Sequence, residues 1–513
     1  MVRWRAPSRA GVAGQALGTK GAVDRRVLRE DRVGFLGAAG FVRQAGPGPG
    51  RVPGVALGVR PCLLDRLLGP ALAFPEGDDC AEDTPGRPWR MPPTRVLRKV
   101  VGLVRRQEVP GAAPAEGGAM TDVVDLAAYG ERFTADPYPV YAELRARGPV
   151  HRVSLPGVDG PAEAWLVVGY EEARETLADP RLSKDPTTLG IQIPEGELIG
   201  RHMLVADPPE HTRLRRLVAR EFTARRVQAL APLVQRITDE LLDAMVPRGR
   251  ADLVQSFAFP LPLTVISELL GVPVADRAAF RRMSSEVVAP SGKVPPEANL
   301  AELGTFLDAL IEEKRRSGTT GDLIADLIRT ADDEGDQLSS SELRAMAYLL
   351  LIAGHETTVN LIASGVHTLL RHPEQLAALR ADPTLTEGAV EEILRYEGPI
   401  ETATWRHTGE PVEIGGVRMG QGEPVLVSLA SAGHDPARFP DPERFDIRRR
   451  TQGHLAFGHG LHFCLGAPLA RLEGRIALTS LLARCPELAA DGEPSGWAPG
   501  LLIRGVRDLP LRW

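Results

Sequence analysis

The sequence has few cysteines, few aromatic residues and no long apolar run. Its 513 residues include 4 Cys and 5% aromatics, which argues against a disulfide framework or a paired-cysteine metal site. The longest apolar run, Ala345 to Ala353, is far shorter than the ~20 residues of a membrane span, so we expect no membrane anchor. The net charge is only -6, and we expect no nucleic-acid partner. Flavin and nicotinamide motifs are missing, so a redox enzyme built from this chain must take electrons from outside.

Charge and composition divide the chain near Met120. Residues 1–119 carry 19 Lys+Arg and 11 Asp+Glu, whereas the remainder carries 42 and 56. The first part is rich in Gly, Pro and Arg, without a hydrophobic period of 2 or 3.6 and without the apolar centre of a signal peptide. We expect it to be disordered or a misassigned extension before a natural start at Met120; the weaker alternative is that residues 93–106 touch a membrane or a partner. We expect residues 120–513 to form a single cytoplasmic, monomeric domain.

Residues 457–466, FGHGLHFCLG, form a glycine-punctuated loop before a helix-forming stretch. The spacing F-x-x-G-x-x-x-C-x-G should occur by chance about 0.001 times in such a chain. Glycines let backbone N–H groups approach a sulfur, and the following helix N-terminus adds partial positive charge, so both favour a thiolate. The pattern therefore predicts that Cys464 ligates a haem iron rather than being an inert buried thiol.

This loop resembles the haem-binding loop of the cytochrome P450 family, the haem-thiolate monooxygenases. The resemblance implies the cytochrome P450 fold, mainly α with a minor β region and a long central helix across the haem. It also implies haem b as cofactor, O2 as co-substrate, and electrons from a ferredoxin and a ferredoxin reductase. Phe457, Gly458 and Gly466 would shape the haem loop, and His462 would bind a propionate.

A second motif follows Asp207, where two prolines and Glu210 predict a helix start. His211 and Arg215 lie four residues apart and share one helical face, which suits a dianionic ligand. Taken alone, such a face is more often solvated surface. The resemblance implies instead that both residues bind the haem propionates, together with Arg406 at the end of a strand predicted over 400–406.

Ser339 and Glu342 predict a capping box that begins a helix running to about Arg371. At 1.5 Å per residue this helix is roughly 45 Å long. Its middle, AGHETT at 353–358, places glycine and threonines in a helix interior and a carboxylate among apolar residues, and both are costly unless they have a function.

The AGHETT stretch resembles the oxygen-activation site of the same family. The resemblance implies that Ala353 and Gly354 leave room for oxygen at the haem. Thr357 would hydrogen-bond the oxygen and Glu356 would relay protons from solvent. These two residues are the predicted catalytic pair.

The residues Glu392 and Arg395, at i and i+3 on a predicted helix, can form a charge-assisted pair. Read alone, such a pair is usually a weak surface salt bridge. It matches the family's E-x-x-R, and Arg444 is the predicted third member of a structural network that holds the loop leading to Cys464.

The substrate pocket is predicted from apolar residues in loops and around the long helix. Residues 226–330 are predicted to be helices broken at Pro247, Gly271 and 290–296, and could form a lid. The low aromatic content favours a bulky aliphatic substrate, and the resemblance is strongest to actinobacterial enzymes that hydroxylate or epoxidise macrolides and other polyketides. The predicted pocket residues are Ile191, Ile193, Val287, Val288, Leu349, Ile400, Thr402, Ala403 and Leu501.

Other functions remain open at this point. A peroxygenase would use hydrogen peroxide directly, and a terpenoid, steroid or xenobiotic hydroxylase would share the same motifs. A haem-based sensor or electron carrier would need no spacious pocket. Basic residues that could dock an acidic ferredoxin, or could simply be solvated, are Arg216, Arg220, Arg471 and Arg475.

Overall fold

The computed structural model describes residues 123–155, 162–191, 200–288, 295–333 and 338–513. These residues all fall within one contact unit, 60–513. The extension expected over residues 1–119, with its segment 93–106, lies outside the described residues, as does Ile193.

Helices make up most of the described chain, as predicted. The α-helices are α1 Gly130–Ala135, α2 Tyr138–Arg147, α3 Tyr170–Ala178, α4 Glu210–Ala219, α5 Ala224–Ala229, α6 Ala231–Met245, α7 Pro260–Leu270, α8 Arg277–Val288, α9 Pro296–Ser317, α10 Leu323–Asp333, α11 Ser340–Arg371, α12 Pro373–Ala381, α13 Thr386–Tyr396, α14 Leu429–Gly433 and α15 Ala467–Arg484.

A minor β region lies beside the helices, also as predicted. The strands are β1 Val124–Asp125, β2 Val150–Leu155, β3 Ala162–Val167, β4 Leu182–Ser183, β5 Arg250–Asp252, β6 Arg406–Thr408, β7 Val412–Ile414, β8 Val417–Met419, β9 Pro424–Val427, β10 Ala489–Ala490 and β11 Pro510–Arg512. A six-stranded sheet has the order β1-β2-β3-β9-β6-β4, a three-stranded sheet has the order β10-β11-β5, and β7 pairs with β8 in a hairpin.

Helix α11 runs through the centre of the main hydrophobic core. The predicted capping box is present, since the Ser339 hydroxyl accepts from the Glu342 N–H while the Glu342 carboxylate accepts from the Ser339 N–H. The helix has 32 residues, and α7, α9, α13 and α15 all pack against it. Among the described residues it is the one helix long and apolar enough to cross a membrane, but 78% of its apolar 18-residue stretch is buried inside the protein.

The described part of residues 226–330 is mainly helical, from the end of α5 to α10, as predicted, with the short strand β5 between α6 and α7. The Gly271 break is required by backbone geometry, because Gly271 ends α7 at a φ of 69°. A Cβ there would lie 2.4 Å from atoms of both Lys314 and Asp322, which form a buried ion pair.

One local prediction was wrong. The segment 400–406 is not one strand, because the Glu401 N–H donates to the Leu502 carbonyl while the Ala403 N–H donates to the Val427 carbonyl, so alternate residues pair with different neighbours. The short helix α14 follows β9, and the Ser428 hydroxyl caps it by accepting from the Ser431 N–H.

Candidate active site

The cysteine loop is shaped by tight backbone contacts before α15. Gly458 and Gly460 have φ values of 71° and 72°, in the region that favours glycine. A Cβ on Gly460 would lie 2.8 Å from the Cα of Ala178, so the loop rests directly on the end of α3. The Cys464 N–H donates to the Phe457 carbonyl at 2.9 Å, which closes the loop.

The thiol of Cys464 is held at the N-terminus of α15. Backbone N–H groups of Gly466 and Ala467 and the charge of Arg215 all lower the pKa of the thiol, in the direction predicted for a metal ligand. Burial nevertheless raises its pKa overall, because the surrounding protein desolvates the charged sulfur. The backbone N–H groups and Arg215 therefore favour the charged sulfur but do not offset the cost of its burial, and a metal cation bound to the sulfur would supply the missing stabilisation.

Helix α4 and the cysteine loop bring two imidazoles together. The rings of His211 and His462 are in edge contact, with centroids 4.4 Å apart. His211 is fully buried and neither of its ring nitrogens has a partner in the described part of the chain. Burial lowers the pKa of His211 to about 4 and that of His462 to about 2, so both rings are neutral donors.

Two arginines flank this pair of imidazoles. The Arg215 guanidinium donates to the Phe463 carbonyl at 2.7 Å, so this face of α4 is directed at the cysteine loop rather than solvated. Arg406 on β6 is 5% exposed, and burial lowers its pKa to about 10. Its side-chain hydrogen bond in the described residues is to the Thr404 carbonyl, at 3.2 Å. A buried cation such as Arg406 is costly unless an anion lies close to it, so this place favours an anionic ligand.

The middle of α11 differs from the rest of that helix. Ala353 is exposed and Gly354 is half-buried, although the residues on either side of this turn are buried. A Cβ on Gly354 would lie 3.7 Å from Ile266 of α7, an ordinary contact, so the glycine is not required by packing on that side. This turn therefore faces a space that a ligand can enter.

The predicted catalytic pair lies on the same turn. The Thr357 hydroxyl donates to the Ala353 carbonyl at 2.9 Å, which keeps its oxygen available as an acceptor. Burial raises the pKa of Glu356 to about 7, although the nearby Asn360 amide opposes that shift. A carboxyl group with such a pKa can both take up and release a proton near neutral pH.

The E-x-x-R pair is a fully buried bidentate ion pair. Arg395 Nε and Nη2 each lie 2.8 Å from the Glu392 carboxylate, and Arg395 also donates to the Gly433 carbonyl at 2.9 Å. Arg444, the predicted third member, takes part through its backbone carbonyl, which accepts from Arg395 at 3.4 Å. Its side chain is 68% exposed and pairs with Asp446, and the arginine whose side chain reaches Glu392 is instead Arg449, at 3.2 Å.

Comparison with known proteins agrees with this geometry. The family model for cytochrome P450 matches residues 297–492. Over 401 residues the chain is 58% identical to cytochrome P450 monooxygenase PikC of Streptomyces venezuelae, which covers 77% of this chain and 95% of that protein. The chain belongs to the cytochrome P450 family.

Two further similarities of this P450 are to a hydroxylase and to a solved structure. It is 46% identical to 6-deoxyerythronolide B hydroxylase of Saccharopolyspora erythraea, covering 77% of this chain and 99% of that protein. The solved structure of the tirandamycin C-bound P450 monooxygenase TamI matches with a TM-score of 0.68 and 42% identity, covering 76% of this chain and 99% of that chain. The subgroup prediction is confirmed. The chain is a haem-thiolate monooxygenase, which argues against a sensor or electron carrier.

The residues of this P450 fit a haem. A porphyrin needs one axial ligand, neutralisation of its acidic edge and an apolar enclosure, and the structure offers a thiol, a buried cationic cluster and exposed apolar side chains in one place. Leu461 and Phe463, beside the thiol, are 43% and 40% exposed, although large apolar side chains are normally buried. The P450 family further implies external redox partners, an apolar substrate and O2.

The predicted pocket residues are brought together only in part. Thr402 donates to the Leu501 carbonyl at 2.6 Å, and Ile400 pairs with Ile503, so the segments around residues 400 and 501 are neighbours. Ile400, Leu501 and Ile191 are half-buried, whereas Ala403 is buried. Val287 and Leu349 are buried in the main core; the Val288 side chain lies outside the described ones, as does Ile193.

Sequence reasoning missed several buried charges in this P450. Arg504 stands among apolar residues of the C-terminal segment, which is itself a signal of a buried role. Glu473 lies four residues from Leu469 and from Ala477 on α15, so helical periodicity places its carboxyl on the buried face. Arg449 is the middle of three consecutive arginines, and no local pattern distinguishes it from its neighbours.

Proposed function

We propose that this P450 hydroxylates or epoxidises a macrolide or other polyketide in secondary metabolism, using haem b and electrons from a ferredoxin. One observation carries the proposal: the thiol of Cys464, the cations of α4 and β6, and the proton-carrying turn of α11 occur in one chain whose relatives include a hydroxylase of 6-deoxyerythronolide B. When bound, the haem supplies the iron at which O2 is activated.

The protein residues would bind and orient this cofactor. Cys464 would supply the sulfur that binds the iron, with Phe457, Gly458 and Gly466 holding its loop. His211, Arg215, Arg406 and His462 would bind the two propionates. The edge contact of His211 with His462 supports this assignment, because it brings together two neutral imidazoles that can each donate one N–H to an acceptor beside them.

Helix α11 would supply protons and order the oxygen. Glu356 would pass protons inward from solvent, which its pKa of about 7 permits. Thr357 would hydrogen-bond the oxygen beside Ala353 and Gly354. Delivery of protons at this place favours cleavage of the O–O bond over release of peroxide.

The haem-thiolate assignment has a direct test. Reduced protein exposed to carbon monoxide should show the far-red-shifted absorbance of a thiolate-ligated porphyrin, and Cys464→Ser should abolish it. Cys485→Ser, at a buried cysteine beyond the end of α15, is the matched control and should retain the shift. Absence of the shift in the wild-type protein would overturn the proposal.

The substrate class is tested by Soret difference spectroscopy. Polyketide, terpenoid and steroid ligands are titrated into the oxidised holoenzyme, and we expect the polyketides to shift the Soret band most strongly. The substrate would bind among Ile191, Ile400, Ala403 and Leu501. A response confined to steroids or terpenoids would overturn the polyketide assignment.

We propose a ferredoxin as the electron donor. Arg216, Arg220 and Arg475 are exposed and can dock an acidic partner. Arg471 contributes less, because its guanidinium is bound to Glu391 at 2.6 and 2.9 Å. Turnover should require the ferredoxin and its reductase and slow with rising salt; equal turnover with peroxide alone would support the peroxygenase alternative.

We further propose that residues 120–513 form the whole catalytic domain, as a cytoplasmic monomer. A chain beginning at Met120 should then give the same carbon monoxide spectrum and melting temperature as the full chain. Light scattering of the holoenzyme would give its mass, and mass spectrometry of the native protein would identify its N-terminus.

A further inference from the structure

The strands β4 and β6 bring Lys184 opposite Arg406. In this antiparallel pair Leu182 lies across from Thr408 and Ser183 across from His407, so the next residues along the two chains are the two cations. Lys184 is 7% exposed and Arg406 is 5% exposed. Like charges directly opposite on neighbouring strands destabilise a sheet, and burial increases their repulsion.

The nearest groups neutralise this pair only partly. The Lys184 ammonium donates to the Thr404 hydroxyl, and Arg406 donates to the Thr404 carbonyl. Asp207 is the carboxylate close to both, but one of its oxygens accepts from the Lys184 backbone N–H at 3.0 Å and the other from the Ser183 hydroxyl. Within the described part of the chain, the Lys184 ammonium has neither an ion pair nor a second hydrogen bond.

Asp185, which follows directly in sequence, does not neutralise the lysine either. One oxygen of its carboxylate accepts from Arg201 at 2.8 Å. The other accepts from the N–H and the hydroxyl of Thr187, at 2.9 and 2.7 Å. Both oxygens of the Asp185 carboxylate therefore already accept hydrogen bonds from groups other than the Lys184 ammonium.

The local charge balance of the permanently charged side chains and Lys184 then matches a dianion. Lys184, Arg215 and Arg406 are three cations with one carboxylate, Asp207, among them. Two positive charges remain, which equals the charge of two carboxylates. Without Lys184, one positive charge would remain. Burial and the charge of Arg406 lower the pKa of Lys184, so a charged lysine is costly here unless an anion lies against it.

We propose that Lys184 is a further cofactor-binding residue, which together with Arg406 holds one carboxylate of the porphyrin. This inference rests on the haem b of the proposed function, because its two propionates supply the two negative charges. Lys184 directly follows β4 and comes seven residues before Ile191, a predicted pocket residue. It would therefore connect this part of the chain to the cofactor. It has no part in the chemical step.

The first test is retention of haem by the purified holoenzyme. We expect Lys184→Met to lose haem to an excess of an apo-acceptor such as apomyoglobin about tenfold to a hundredfold faster, the range for one charge-assisted hydrogen bond. Lys184→Arg keeps the charge and should retain most of the affinity. Thr404→Val removes the hydroxyl contact but leaves the ammonium, and should have a smaller effect.

The second test measures the hydrogen bonding of the haem propionate and the effect of the lysine charge on the haem. In Lys184→Met we expect a shift of the resonance Raman band of propionate bending, and a lower reduction potential of the haem because a nearby positive charge is lost. Thr404→Val should move neither. Both measurements use holoenzyme that has retained its haem, so a variant that loads poorly remains informative.

Two outcomes would overturn the inference. One is a Lys184→Met enzyme with wild-type haem loss, Raman band and potential. The other is equal effects of Thr404→Val and Lys184→Met, which would make the lysine a structural support for Thr404. The proposed function fails separately, since it requires the carbon monoxide signature in the wild-type protein whatever Lys184 does.

Discussion

The Arg504 guanidinium forms a buried ion pair with the Glu397 carboxylate, 107 residues away in the sequence. The two side chains are 3% and 10% exposed. Arg504 also donates to the carbonyls of Thr134 and Ala135 at 3.0 and 3.1 Å, and the Tyr138 hydroxyl donates to Glu397 at 2.8 Å. The C-terminal segment is thus fastened to the first helices of the described chain.

We expect Arg504→Met to lower the free energy of unfolding by about 3–5 kcal/mol, because it leaves the Glu397 carboxylate buried without its cation. Urea unfolding of the holoenzyme measures this loss. Arg504→Lys should lose less, since it keeps the charge. Arg507→Met, at an exposed arginine of the same segment, is the control, and an equal loss there would contradict the assignment.

The Glu392 network predicts unequal effects for two arginines in one loop. Arg449 donates to Glu392 and to the carbonyls of Pro440, Asp441 and Arg444, so Arg449→Met should cost about 1–3 kcal/mol and speed haem loss. Arg444→Met should change little, because its side chain is exposed. The measurements are the melting temperature and the haem retention of the two variants. A larger loss in Arg444→Met than in Arg449→Met would contradict this network.

Removing the Thr357 hydroxyl of α11 should uncouple electron consumption from product formation. In Thr357→Ala we expect more hydrogen peroxide per electron consumed, because the oxygen loses a hydrogen-bond partner. Thr358→Ala is the matched control, since that side chain is buried and its hydroxyl faces the Gly354 carbonyl at 3.4 Å. Unchanged coupling in Thr357→Ala would count against the role.

Proton delivery through Glu356 should give a pH-dependent rate. With a pKa of about 7, the carboxyl is protonated below that pH and loses its proton above it, so turnover limited by proton delivery should slow as pH rises through 7. Glu356→Gln should be slower throughout and should lack this dependence, whereas Glu356→Asp should keep part of it. Rates of product formation across this range, at saturating ferredoxin, provide the measurement; an identical profile for the glutamine variant would exclude the relay.

The buried carboxyl of Glu473 should make stability depend on pH. One of its oxygens has no partner among the described residues, and burial raises its pKa to about 8 from an ordinary 4.5. The folded state then keeps a proton that the unfolded state releases. The contribution of this carboxyl to stability is therefore fully present below about pH 4.5 and is lost as pH rises towards 8, by up to about 1.4 kcal/mol per pH unit.

Glu473→Gln should remove this slope and be more stable than wild type at pH 8. Chemical unfolding of both proteins at several pH values tests it. Glu487→Gln changes an exposed carboxylate just beyond α15 and should leave the slope unchanged. A wild-type slope in Glu473→Gln would show that another group titrates.

The sequence predicted the parts of the site that depend on local order. A capping box, a cysteine loop with fixed glycines, and residues four apart on a helix follow from short-range geometry, and the Ser339 cap, α4 and α11 are present as predicted. Arg449 was missed because three consecutive arginines are locally equivalent. The path of the loop over Pro440 and Asp441 decides which of them reaches Glu392.

By itself, the sequence determined the family, the candidate iron ligand and the order of the helices, because these depend on spacing and periodicity along the chain. Only the tertiary structure decided which charges are buried together. Lys184 and Arg406 lie 222 positions apart in the numbering and become neighbours through strand pairing, and Glu397 and Arg504 meet through the fold of the C-terminal segment. The cost of desolvating a charge, and hence its need for a partner or ligand, depends on distances in space that residue order does not contain.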